Sequence, residues 1–247
     1  MSISCDDNNI KIWNWKNWEC ILNLMGVNKT GDLYFATILR ENKNNYIITS
    51  NRNKEGEPEN IKIFNFKGEK IDELKNSNEN TLFLDSYYDS TLSKNFILTA
   101  NFGHVKSYDF SKNELYHEYN DNDNRGHYSI IIKNIDNIIK LIESCTDGNI
   151  RIWNFHSGML IIKIRGSDKG LRGICLWDDN FLFAGSDDKT FKLIDIKNKS
   201  VPKVFNGHDN KVITLKSIIH PKFGKCLITQ AFQRDKIKIW KNRNILI

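Results

Sequence analysis

The stretch DGNIRIWN, residues 147–154, decides the fold. Asp147 and Gly148 suit a tight turn, because both tolerate positive φ. The residues after them alternate. Ile150 and Ile152 point to one side of an extended chain, Arg151 and Trp153 to the other. Both sides are bulky, so this strand is expected to be covered on both faces. The same octet form recurs as DNNIKIWN (7–14), PENIKIFN (58–65), FGHVKSYD (102–109), DKTFKLID (188–195) and RDKIKIWK (234–241). The tryptophan slot falls at Trp13, Phe64, Tyr108, Trp153, Ile194 and Trp240, at spacings of 51, 44, 45, 41 and 46 residues. A period near 45 residues marks a repeat architecture.

Apolar runs surround each octet. One precedes the turn, as in YIITS (46–50), FILTA (96–100) and FLFAGS (181–186). Another follows the octet, as in ECILNL (19–24) and MLIIKI (159–164), and a further one opens the next unit, as in LYFATIL (33–39) and SIIIKNI (129–135). That predicts four short antiparallel strands per unit. No segment carries a helical 3.6 period, so the chain is expected to be all β. The units run approximately over 1–26, 32–76, 81–120, 127–166, 171–207 and 211–247, together one domain over 1–247. The first begins on SISC, which fits a second strand. The last leaves only NILI after its third strand. Both end units are therefore expected to lack a strand, in a propeller that is shortened or not fully closed. An open blade edge is an expected surface for association.

On this period and these octets the chain resembles WD40-repeat β-propellers along essentially its whole length. The resemblance implies about six four-stranded blades. It also implies a buried tetrad in each blade: the turn acid, a Ser or Thr on the second strand, a His before the first strand, and the Trp. Asp7, Trp13, His127, Asp147, Trp153, Asp188, His208 and Trp240 occupy such positions, so their expected role is structural. The fourth unit comes nearest the pattern, with Gly126-His127, Asp147 and Trp153, but Glu143 stands in the Ser slot. The fifth has Asp188 and Ile194, the sixth Arg234 where the acid belongs. Arg151 and Lys11 are expected to lay their stems on apolar surface and bring their charge to water.

Forty per cent of the 247 residues are hydrophobic, enough for a core, and the net charge of +6 comes from interspersed acids and bases. No run of like charge suggests nucleic acid. The five cysteines are odd in number and none are spaced as CxxC, so neither a disulfide framework nor a zinc site is expected. No signal peptide and no run long enough for a membrane helix is found, which places the expected location in the cytosol or the nucleus. Neither a cofactor nor a catalytic motif is expected.

The function implied by the resemblance is a non-catalytic scaffold that holds protein partners on loops of the blade ends. The candidate contact residues are Arg52, Lys54, Glu55 and Glu57 in the polar loop 51–59, and Arg165, Lys169 and Arg172 in IRGSDKGLRG. The second group also raises the alternative of a phosphoinositide- or nucleic-acid-binding propeller. A hydrolase is a third class, and the spacing around Asp147-Gly148 fails it. In HEYNDNDNRGH (117–127), the acids Glu118, Asp121 and Asp123 are expected to be solvated or to meet a basic partner.

Overall fold

A computed structural model describes the chain apart from residues 1, 7, 8, 15, 26–32, 76, 123, 234, 235 and 242–247, and the side chains of residues 2, 5 and 6. The described residues form strands and turns, with no helix among them. Six separate antiparallel sheets follow one another along the chain, and each is a simple meander. The first holds β1 (Ser2–Asp6), β2 (Asn9–Asn14) and β3 (Glu19–Leu24). The second holds β4 (Leu33–Glu41), β5 (Asn44–Asn51), β6 (Lys62–Asn65) and β7 (Lys70–Glu73). The third holds β8 (Phe83–Asp89), β9 (Lys94–Ala100), β10 (Val105–Asp109) and β11 (Glu114–Tyr119). The fourth holds β12 (His127–Ile135), β13 (Ile138–Cys145), β14 (Asn149–Asn154) and β15 (Leu160–Arg165). The fifth holds β16 (Leu171–Leu176), β17 (Phe181–Ser186), β18 (Phe191–Asp195) and β19 (Ser200–Phe205). The sixth holds β20 (Val212–His220), β21 (Gly224–Ala231) and β22 (Lys238–Lys241). The end sheets have three described strands and the others four, as the sequence led us to expect. The chain divides into two compact units, Met1–Glu118 and Tyr119–Ile247.

The two faces of the octet explain how sheets stack within each unit. In the first unit, Ile10 and Ile12 of the first sheet pack with Ile47 and Phe64 of the second. Ile61 and Ile63 of the second then pack with Ile97 and Tyr108 of the third. In the second unit, Ile150 and Ile152 pack with Leu182 and Ile194 of the fifth sheet, and Phe191 and Leu193 pack with Leu227 and Trp240 of the sixth. In the octets of the first, second, fourth and fifth sheets these paired positions thus face the next sheet, and Phe64, Tyr108, Ile194 and Trp240 in the tryptophan slot face the one before. Full burial of each such side chain contributes about 1.5–3 kcal/mol.

The last letter of the octet ends its strand. In five sheets the residue after the tryptophan slot accepts backbone N–H groups from the following turn. Asn14 takes Lys16, Asn65 takes Lys67, Asp109 takes Ser111, Asn154 takes His156 and Asp195 takes Asn198. Short Asn and Asp side chains do this well because they reach their own backbone two residues on.

The turn glycine is fixed by both conformation and space. Gly148 has φ +86°, and a Cβ there would stand 2.1 Å from the Ser167 carbonyl oxygen. Gly56 has a similar φ of +83° with nothing within 4 Å. Gly148→Ala is therefore expected to cost at least about 2 kcal/mol, and Gly56→Ala only the conformational cost of about 1 kcal/mol. Urea unfolding of the two variants side by side separates strain from overlap; equal losses would mean the close approach at Gly148 is absent.

Candidate functional site

Each octet places a cation two residues before its tryptophan slot: Lys11, Lys62, Lys106, Arg151, Lys192 and Lys238. Across the ladder these residues pair with Ser4, Thr49, Thr99, Glu143, Ala184 and Thr229. In three sheets the tryptophan indole donates to that opposite residue. Trp13 Nε1 donates to Ser4 Oγ at 3.0 Å, Trp153 Nε1 to Glu143 Oε1 at 2.9 Å, and Trp240 Nε1 to Thr229 Oγ1 at 2.8 Å.

The histidines complete two of these networks. His208 Nε2 meets Thr229 Oγ1 at 2.7 Å, so one hydroxyl joins His208 to Trp240. In the fourth sheet His127 Nδ1 meets Glu143 Oε2, and both side chains are sealed from water. Glu143 thus joins His127 to Trp153 in place of a Ser or Thr. Asp147, which the resemblance put in this group, turns instead to Arg151. The fifth sheet has Ser167 where a His would stand. Its hydroxyl lies 3.1 Å from Ser186 Oγ and 3.3 Å from Asp188 Oδ2. Asp7 lies outside the described residues.

Arg151 corrects one expectation. Its side chain is 0% exposed, so the charge does not reach water. The guanidinium is held by two carboxylates. Nε donates to Asp121 Oδ2 at 2.8 Å, and Nη2 donates to Asp147 Oδ2 at 2.7 Å. A buried guanidinium needs this arrangement, because an unpaired charge in the interior is very costly. Lys163 adds a contact to the same Asp121 oxygen at 2.6 Å. Asp121 is therefore not a solvated acid, and Asp123 lies outside the described residues. Just before Asp121, the Tyr119 ring stands edge-on to Trp153, with centroids 6.0 Å apart, and its hydroxyl donates to the Phe155 carbonyl at 2.7 Å. The segment 119–121 is thus pinned to the fourth octet by ring, hydroxyl and carboxylate.

Three other cations of the series meet acids too. Lys62 pairs with Glu59 at 2.8 Å, Lys106 with Glu79 at 2.5 Å, and Lys192 with Asp188 at 2.5 Å. Burial alone would raise the pKa of Asp147, but the hydrogen bonds from Arg151 and Asn149 outweigh it and hold the carboxyl well below its usual range. The same balance, with Lys192 and Thr190 as donors, brings Asp188 down to about 2. Glu79 is lowered against its burial by His104 and Lys106.

Carboxyls depressed in the folded state stabilise it above their unfolded pKa, near 4, and that stability is lost as pH falls through the folded value. Unfolding midpoints in urea should therefore be flat from pH 7 to 5 and drop between about pH 4 and 2, with Asp188 alone contributing at most about 2 kcal/mol. A midpoint unchanged down to pH 2.5 would contradict these pairings.

The loop 51–59 is an ordered hairpin tip rather than a loose loop. Asn53 closes it: its N–H donates to the Glu57 carbonyl at 2.8 Å, and its carbonyl accepts Gly56 N–H at 3.0 Å. Its side-chain oxygen accepts the N–H groups of Glu55 and Glu57. Lys54, Glu55 and Glu57 are exposed at the tip. Arg52 is tethered at the base, 4.7 Å over the Tyr34 ring and 2.6 Å from Asn80 Oδ1.

Arg165, Lys169 and Arg172 do not form a concentrated cationic patch. Arg172 forks onto both Asp187 oxygens at 2.8 Å and lies 4.0 Å over the Tyr128 ring. Arg165 donates to the Asp147 carbonyl, and Asp168 stands 3.5 Å from its other nitrogen. Lys169 is exposed. The structure thus brings His127 with Trp153 and His208 with Trp240, and leaves the two groups of contact candidates in separate sheets.

No family model matches the chain. A 100-residue stretch, 39% of the chain, is 27% identical to "Probable coatomer subunit beta'" of Schizosaccharomyces pombe, and it spans 12% of that protein's length. Among solved structures, the WD40 β-propeller domain of Doa1 superposes with a TM-score of 0.72 at 16% identity, covering 96% of this chain and 74% of the other. The computationally designed protein Ika8 superposes with a TM-score of 0.65 at 15% identity, covering 97% of this chain and 70% of its own. No described helix is long and apolar enough to cross a membrane.

Proposed function

Taking the chain as a WD40-type β-propeller fold, we propose that it is a non-catalytic scaffold that holds a protein partner on the hairpin tip Lys54–Glu57. The observation that carries this is the ordering of that tip. Its polar side chains are exposed while Asn53 and Gly56 fix its backbone, so little conformational freedom is lost on binding. The network residues suit a structural role. His127 and Glu143 are closed off from any substrate, and a general base must reach the proton it takes. A phosphate-binding reading is disfavoured because Arg172 is already matched by Asp187, which leaves no cluster of cations to close on one phosphate.

The test replaces Lys54, Glu55 and Glu57 with serine and keeps Asn53 and Gly56. Tagged wild type and variant are captured from cells of the source organism and compared by mass spectrometry. The expected result is a reproducible partner set lost in the variant with the melting temperature unchanged. A partner set retained in full by the variant would remove the tip from the contact.

A further inference from the structure

The outer strand of each four-stranded sheet has one edge outside the ladder, and the sheets guard it differently. β7 carries Lys70, Asp72 and Glu73, β11 carries Glu114 and Glu118, and β19 carries Pro202 and Lys203. Charges and proline on an edge discourage another strand from adding. β15 begins Leu160-Ile161-Ile162 and holds its cations, Lys163 and Arg165, in its second half. Met159 before it is 70% exposed and Ile161 is 41% exposed.

The backbone of β15 has a defined outward face. Gly166 N–H donates to the Gly148 carbonyl, and Ile164 and Ile162 pair with Ile150 and Ile152. Hydrogen-bonded and non-bonded pairs alternate in an antiparallel ladder. Ile162 and Ile164 therefore turn their amide groups toward β14, and Lys163 and Arg165 turn theirs outward. Side chains alternate as well. Ile162 and Ile164 pack into the core shared with the fifth sheet, and Lys163 and Arg165 stand on the other face.

We propose that the outer edge of β15 is a docking site for an extended acidic segment of a partner protein, added as a fifth strand of the fourth sheet. Its backbone pairs with the outward groups of Lys163 and Arg165. Two acidic side chains, spaced two residues apart, face those cations. Main-chain pairing supplies affinity in this mode and the side-chain pattern supplies selectivity. The charge along β15 favours an acidic occupant. The Lys163 side chain is 42% exposed and already takes one carboxylate, Asp121, at 2.6 Å. The Arg165 side chain is 55% exposed, and its one carboxylate contact among the described residues is to the fully exposed Asp168 at 3.5 Å. Such a contact is worth little. A second copy of β15 would set two more cations beside these two. The proposal does not rest on the hairpin tip, which belongs to another sheet.

The test is fluorescence anisotropy on the full chain at low salt. The probe is a labelled peptide of about eight residues that alternates valine and threonine and carries two aspartates two residues apart. A second probe has lysines in place of the aspartates. Ile161→Pro blocks the edge with a residue the molecule already uses: Leu193 pairs with Lys203 as Ile152 pairs with Ile162, so Pro202 stands where Ile161 does. The acidic probe should bind, the lysine probe should not, and both Ile161→Pro and the double variant Lys163→Gln, Arg165→Gln should weaken binding by at least about fivefold. Thermal melts establish that each variant folds, and the double variant carries the test if the proline does not. No binding of the acidic probe, equal binding of the lysine probe, unchanged affinity in the folded variants, or self-association in place of probe binding would each overturn the proposal.

Discussion

Arg151→Met is expected to destabilise the protein by about 3–5 kcal/mol, because it leaves Asp147 and Asp121 beside a buried methionine with their principal cation gone. For a chain of this size that is a fall in melting temperature of roughly 10 °C. Arg151→Lys keeps the charge but not the fork that meets two carboxylates at once, so it should fall between wild type and the methionine variant. Adding Asp147→Asn to Arg151→Met should recover part of the loss, since it removes one of the stranded charges. Thermal and urea unfolding check all three. A methionine variant within about 1 kcal/mol of wild type would mean the guanidinium is not holding these acids.

Glu143→Ala is expected to cost about 3 kcal/mol. It leaves the Trp153 indole N–H and the His127 ring without their buried acceptor and opens a space between them. Glu143→Gln keeps an acceptor and the volume, and should cost less than half as much. His127→Ala made on top of Glu143→Ala should add little, because the two side chains act as one unit. Strict additivity of the two losses, read from urea unfolding, would contradict the bridge.

Much of this fold can be read from the octet alone. The period near 45, the Asp-Gly turn and the alternation of Ile150 and Ile152 with Arg151 and Trp153 are local signals, and local signals survive in a single sequence. The turn-capping role of Asn14, Asn65 and Asn154 is local as well. So is the repeated form Asn-x-x-Gly-Glu at 53–57 and 65–69, where each Asn closes its own turn. The recurrence of Lys or Arg at one slot in all six octets was available too. Its meaning was not, because the acids that answer Lys106, Arg151 and Lys192 come from different places. Asp188 lies four residues away in the same octet, whereas Glu79 lies 27 residues from Lys106 and Asp121 lies 30 from Arg151. Asp121 sits in a polar stretch that reads as solvated, and nothing near it in sequence announces a buried arginine. Arg172 failed in the opposite way. It reads as a free cation until Asp187 and Tyr128 are brought beside it. Glu143 is the intermediate case. An acid on a strand between Ile142 and Ser144 needs a partner, but the strand does not say that the partners are His127 and Trp153.

Four of the six octet cations, Lys62, Lys106, Arg151 and Lys192, are tied to acids, and the proposed function leaves the exposed tip Lys54–Glu57 to meet a protein partner. Photocrosslinking in cells of the source organism tests it most directly. A photoreactive residue is placed at Glu55 in the β5–β6 tip and, in a second protein, at Lys67 in the β6–β7 turn at the other end of the same sheet. Both positions are exposed. A discrete protein adduct is expected from position 55 and none from position 67. A matching adduct from both, or one from position 67 alone, would contradict it.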